Sequence, residues 1–315
     1  MYSTTDASNF VAGVDTAFYI ILGISGVFLV AITVVMLYFV YRYNKKRNPV
    51  PTELHGSNTL EIIWTVIPTL LALLMFYYGW KGFYPQRYAP KDALAVTAVA
   101  RMWSFSFEYP NGAVSNDLKV PIGRAVRVNM KAMDVLHSVF IPDFRIKTDA
   151  IPGKNNFIWF VSGKKGTYDL FCTEYCGVRH SYMNSTVNVM ADADFDKWYK
   201  ENGEQGATAG GTAVPGAAGK KIMEQKGCIA CHSSDGSKIV GPSFKGIYGE
   251  NVTVVTGGKD RTLKIDEEYI KRSIIDPSAD VVKGFVAGQM ISYKTELNDK
   301  QIGEIIEYIK TLNVK

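Results

Sequence analysis

Two long uncharged runs dominate the first eighty residues. Ala17 to Tyr41 holds 25 consecutive uncharged, mostly apolar residues, enough at about 1.5 Å rise per residue to cross a hydrocarbon core of about 30 Å. Ile62 to Trp80 is a second run, 19 residues long, ending in Phe76, Tyr77, Tyr78 and Trp80, the amphipathic aromatics that settle at a membrane interface. Together they predict a two-helix transmembrane hairpin within residues 1–90. The first run is too long for the apolar core of a signal peptide, and its basic segment follows rather than precedes it. Pro68 interrupts the second run and predicts no more than a modest kink.

Beyond residue 90 the period changes. Short Val-, Ile-, Phe- and Tyr-rich segments such as 95–99 and 125–130, separated by turn signals at Pro110-Asn111-Gly112 and Pro152-Gly153, predict an antiparallel β-sandwich or barrel over 91–200. A stretch over 201–218, dominated by Gly, Ala and Thr, cannot bury enough apolar surface to offset its ordering and reads as a flexible linker. Residues 219–227 and 266–275 then read as short helices. Asp299 opens a final one in which Ile302, Ile305, Ile306 and Ile309 recur at helical spacing. The expected architecture is a multidomain membrane protein: hairpin, β domain, linker and a small all-α domain over 219–315.

Charge orients the hairpin. The short loop between the runs carries Arg42, Lys45, Lys46 and Arg47, whereas residues 1–16 contain Asp6 and Asp15 and no Lys or Arg. The positive-inside rule puts that loop in the cytoplasm, so everything after about residue 85 lies outside. A net charge of +5 over 315 residues, with no basic stripe interleaved with aromatics, argues against a nucleic-acid partner.

All four cysteines and two of the four histidines fall in two short runs, 172–180 and 228–232. In the first, Cys172 and Cys176 are four apart, His180 follows, and Met183 comes three later; His137 lies 35 residues upstream of Cys172. Thiolate, imidazole and thioether form a set that favours copper over harder cations. A Cys172–Cys176 disulfide and half of a zinc site are the alternatives, though the latter would leave the methionine idle. His55 is a lone loop histidine and reads as solvated. In the second run, Cys228-Ile229-Ala230-Cys231-His232 is the C-x-x-C-H pattern of covalent haem c attachment; redox and zinc motifs share its C-x-x-C core.

The two spans followed by this ligand pattern resemble subunit II of the haem-copper cytochrome c oxidases over residues 15–200. Glu61-Ile62-Ile63-Trp64-Thr65-Val66-Ile67-Pro68 resembles the start of that family's second helix, and Lys147 to Gly153 resembles the stretch after its first copper histidine. The resemblance implies a cupredoxin-like domain with a dinuclear copper site, CuA. There Cys172 and Cys176 bridge both ions, His137 and His180 bind one each, Met183 is a weak axial ligand and Glu174 supplies its backbone carbonyl. It further implies that the Glu174 side chain helps hold magnesium at the contact with subunit I. Trp103 would belong to an exposed aromatic patch where electrons enter, although Phe105 stands where many relatives have a second tryptophan. Glu61 would mark a proton entrance; its place at a helix start is equally explained by the helix dipole.

Val240 to Gly249 resembles the loop that braces the proximal histidine in class I cytochromes c. By that likeness Cys228 and Cys231 hold the haem covalently, His232 binds iron, and Met290, ahead of the last helix, is the sixth ligand, with Met223 as competitor. Ile291 departs from the usual proline after that methionine.

An oxidase subunit II with a fused cytochrome c, as in the caa type, is therefore implied. It would sit in a bacterial inner membrane with both redox domains on the periplasmic side. Its partners would be subunits I and III, the bilayer and an upstream donor, either cytochrome c or a quinol-oxidising complex. A copper subunit of a nitric oxide reductase, or a non-catalytic membrane-anchored electron carrier, would share much of this pattern.

Overall fold

The computed structural model describes residues 6–50, 53, 55–203 and 216–313. Two helices open the chain, α1 (Val11–Arg42) and α2 (Asn58–Phe83). At 32 residues α1 is about 48 Å long, so it outreaches the bilayer core. Both are longer than their apolar runs: α1 starts six residues earlier, at Val11, and α2 starts at Asn58, where the Ser57 hydroxyl accepts from the Leu60 amide. Their apolar windows are not buried within the chain, so the helices present a hydrocarbon surface that only lipid or another apolar partner can cover. The residue ahead of α1 and the helix's own first turns pack onto the β domain. Phe10 stacks edge-on against Trp159 at 4.9 Å, and Arg145 pairs with Asp15 at 2.7 Å. Start and β domain thus share one side of the hairpin, as two crossings require.

The β domain is a sandwich of two five-stranded sheets. One is built from β1 (Leu94–Arg101), β2 (Ser104–Glu108), β3 (Val114–Ser115), β5 (Ala125–Ala132) and β8 (Asn156–Val161), in the order β3-β2-β1-β5-β8. The other is built from β4 (Leu118–Pro121), β6 (His137–Ile141), β7 (Ile146–Ala150), β9 (Gly166–Phe171) and β10 (Asn184–Met190), in the order β4-β10-β9-β6-β7. The alternating apolar positions of β5 point Val126, Val128 and Met130 inward against Phe107, Ile141 and Phe160. Two pairs, β1 with β5 and β4 with β10, run parallel rather than antiparallel. Strand periodicity cannot reveal this, because parallel pairing depends on crossovers between distant segments. Helix α3 (Asp192–Asn202) closes one end through buried Phe195. Of the expected linker, residues 204–215 lie outside the described residues.

Among the described residues the last domain has three α-helices, α4 (Ala217–Gln225), α5 (Glu267–Ile275) and α6 (Asp299–Thr311). Its core joins Ile222 and Met223 to Ile270, Ile274, Ile302, Ile305 and Ile309. A three-stranded sheet unanticipated from the helical pattern, β11 (Asn251–Thr256), β12 (Lys259–Lys264) and β13 (Val281–Val282), flanks it in the order β12-β11-β13. Buried Asp280 ties this sheet to α5 by accepting from Arg261 and Arg272. Helices α4 and α6 cross where Gly219 lies against the backbone of Glu304, leaving no room for a side chain. Gly219→Ala should therefore wedge them apart and cost about 1–3 kcal/mol of this domain's stability. Urea unfolding followed at the haem band measures it; an unmoved midpoint would refute the close crossing.

Candidate redox sites

The copper-type ligands come from three neighbouring pieces of the second sheet. His137 opens β6, the loop after β9 carries Cys172, Glu174 and Cys176, and a short 3-10 turn before β10 carries His180 and Met183. The Cys172 and Cys176 sulfurs stand 3.8 Å apart, unbonded, and all four cysteines are free. Cys176 Sγ lies 3.5 Å from His180 Nδ1 and 3.7 Å from Met183 Sδ, while the Glu174 carbonyl oxygen is 3.3 Å from Cys172 Sγ. His137, Cys172 and Cys176 bring their ligand atoms within 4.8 Å of one another. The fold thus gathers the five residues that the pattern singles out, together with the Glu174 carbonyl that the resemblance adds.

Two observations fit this pocket to a cation. His137 has one ring nitrogen, Nε2, fixed by the Asp134 carboxylate at 2.7 Å, while Nδ1 is buried without a hydrogen-bond partner. Such an orphaned atom needs an explanation. A carboxylate on the far nitrogen is also the usual way an imidazole is oriented toward a metal. The thiols behave as a pair. Burial and the neighbouring Cys172 sulfur push Cys176 up to about 12. Burial would raise Cys172 too, but His137 and the backbone of Ser138 and Glu174 bring it down to about 7. Two thiolates this close oppose each other's ionisation, and a bound cation would offset the second charge.

Asp134 was not legible as a site residue, although a carboxylate three positions before a ligand histidine is a usable signal. It also accepts from the Met102 amide at 2.7 Å. Those hydrogen bonds hold its carboxyl below the ordinary range against the effect of burial. Glu174 turns its side chain to Lys147, 2.8 Å away, at a half-exposed position. Glu61 lies exposed in the first turn of α2.

Trp103 departs from its expected exposure. Only 4% of it is accessible, and its indole N–H donates to the Cys176 carbonyl at 3.0 Å. The ring lies over Gly177, where a side chain would meet it at 3.1 Å and where the backbone φ of 118° favours glycine. Phe105 is equally buried. Both rings belong to the sandwich's own core cluster, against which Cys231 and Val240 of the third domain also pack.

In that domain Cys228, Cys231, His232 and Met290 all line one cavity of about 240 Å³, walled by Ile270 and Ile274. His232 donates from Nδ1 to the Pro242 carbonyl at 2.8 Å, which leaves Nε2 with a free lone pair, the arrangement an iron ligand needs. Its ring is clamped between Phe244, stacked at 4.5 Å, and the backbone of Gly241. Burial pulls its pKa down, so the imidazole is neutral and ready to coordinate. Met223, buried on α4, lines the same cavity. An apolar cavity with two thiols and an oriented imidazole fits a covalently held haem.

A hairpin of apolar helices, a sandwich with a soft-ligand cluster and a helical domain with a haem-attachment motif define a membrane-anchored redox subunit. Family models agree with each part. Residues 2–81 match "Cytochrome C oxidase subunit II, transmembrane domain", residues 112–190 its "periplasmic domain", and residues 216–313 "Cytochrome c". The chain belongs to the cytochrome c oxidase subunit II family, and it carries a cytochrome c domain after the copper-type domain. Cytochrome c oxidase subunit 2 of Alkalihalophilus pseudofirmus is 27% identical over 309 residues, covering 93% of this chain and 86% of that one. The Bacillus subtilis subunit is 28% identical over 307 residues, covering 90% and 83%. The crystal structure of the periplasmic domain of subunit II of cytochrome oxidase from Bradyrhizobium japonicum shares 32% identity, covering 36% of this chain and 96% of that one, with a TM-score of 0.35.

Proposed function

We propose that this subunit receives electrons at haem c and passes them to a dinuclear copper centre, which feeds an oxygen-reducing subunit I. When bound, the two centres supply one-electron exchange without any change in covalent bonding; the chain's own residues hold, orient and dry them. Cys172 and Cys176 would bridge the coppers. His137 and His180 would take one ion each, with Met183 and the Glu174 carbonyl completing the set. Cys228 and Cys231 would carry the haem, with His232 and Met290 on its iron. The Glu174 carboxylate, exchanging Lys147 for magnesium at the contact with subunit I, and Glu61, as a proton entrance, extend the same reading. So does Trp103 as the electron's path into the copper site. A bacterial inner membrane, with both redox domains in the periplasm, completes this reading, and the basic loop between α1 and α2 supports that orientation. Subunit III and an upstream cytochrome c or quinol-oxidising complex would be the remaining partners.

One observation carries this most: six soft and carbonyl ligands converge around an unpaired, buried imidazole nitrogen. Metal analysis with optical and EPR spectra of the purified complex tests it. Two coppers per chain, a near-infrared band with a mixed-valence signal and a c-type haem band are expected. A sulfur–sulfur bond between Cys172 and Cys176, or absence of copper from intact protein, would end the reading.

A further inference from the structure

The cytochrome domain is not merely tethered to the copper domain; it is seated on it through groups that neither metal site explains. Arg101, at the end of β1, has a side chain only 3% exposed, and it pairs across the domain boundary with Glu296 at 3.0 Å, itself 13% exposed. The same guanidinium donates to the Lys226 carbonyl at 3.4 Å. On the other flank Arg179, next to His180, donates to the carbonyl of Ala230 inside the haem-attachment motif at 2.7 Å. Between them Gly227 abuts the Ser104 hydroxyl, and Cys231 and Val240 pack against the cluster that contains Trp103. Met102, from the copper domain, helps line the haem cavity.

We propose that Arg101, Glu296 and Arg179 are positioning residues that lock the haem-attachment loop onto the turn carrying Met102 and Trp103, so that the copper domain completes the haem pocket. The physical reason is desolvation. A buried guanidinium tolerates its loss of water only while its carboxylate partner stays in place, and this fixes one docked geometry among the many that a tether allows. Met102 touches the haem cavity, the next residue is Trp103, and the Trp103 indole is hydrogen-bonded to the carbonyl of Cys176. The closed arrangement therefore puts a short, continuous route between the two sites. One electron leaves the reduced haem and one arrives at the copper pair; no proton or bond moves. This inference rests on the function proposed above and adds to it that transfer needs no undocking and no second encounter.

Glu296→Gln in the full-length subunit within its oxidase complex tests the lock, because it leaves Arg101 buried without its counter-charge. Hydrogen exchange of residues 101–104 and 226–231 should quicken by at least about tenfold, with strands β5 and β9 unchanged. After flash reduction of haem c, electron arrival at copper should slow by a similar factor and become sensitive to ionic strength. Ser104→Phe, a steric wedge at the Gly227 contact, should reproduce both effects if Glu296→Gln fails to fold. Unchanged exchange and unchanged transfer in a folded variant would overturn the lock. Protected exchange in the unmodified protein with no electron reaching copper would instead overturn the proposed function and leave the docked geometry standing.

Discussion

Cys176→Ser is expected to empty the copper site and to cut electron delivery to the oxygen-reducing subunit by more than about a hundredfold. Losing a partner outside the ligand set typically costs about 10- to 100-fold in metal affinity or activity, and Cys176 is the centre of the set itself. Its sulfur is the atom that stands near Cys172, His180 and Met183 at once. A serine oxygen is smaller and harder, and it does not bridge soft cations. The fold should survive, since the substitution is nearly isosteric and the Cys176 carbonyl that receives the Trp103 indole is untouched. Copper analysis and the near-infrared band read the outcome, with the haem c band as internal control. Asp134→Asn offers a graded comparison: it removes the charge that orients His137 and should weaken copper binding by about 10- to 100-fold. Full copper retention in Cys176→Ser would rule out a bridging role for that sulfur.

The parts of this architecture that could be read from the chain are those encoded locally. Apolar runs long enough to cross a membrane, and the ligands gathered within 172–183 and 228–232, depend on neighbours only a few residues apart. Those that escaped are built by long-range contacts. The parallel pairing of β1 with β5, the placement of Asp134 under Met102 and the burial of Trp103 leave no periodic trace. Arg101 reaches Lys226 across 125 residues and Arg179 reaches Ala230 across 51. Nothing in the residues beside either arginine marks it as a contact between domains. The small sheet of the cytochrome domain was missed for a related reason. Its strand β12, Lys-Asp-Arg-Thr-Leu-Lys, is exposed and polar, and it is held by pairing with β11 rather than by an apolar face of its own.

A chain ended after Gly203 should keep its copper and lose electron delivery from the upstream donor by about a hundredfold or more. Every copper ligand precedes that point, and the sandwich core of Val96, Phe107, Val128 and Ile141 closes without the cytochrome domain; α3 also remains whole. What disappears is the domain that carries the haem-attachment motif and its cavity. A tethered partner acts at an effective concentration in the millimolar range and gains about 10²- to 10⁴-fold over a free one, so an added soluble donor should recover only part of the rate, at high concentration. Removal of Glu296 by truncation also differs from its substitution. Arg101 would then face water, so the guanidinium is hydrated rather than stranded and the sandwich should lose little stability. Steady-state oxygen consumption with the natural upstream donor, beside copper content and unfolding midpoint, separates these effects. Undiminished oxygen consumption would mean that electrons reach copper by a route that bypasses haem c, and the face of the sandwich bared around Arg101 would be the place to look for it.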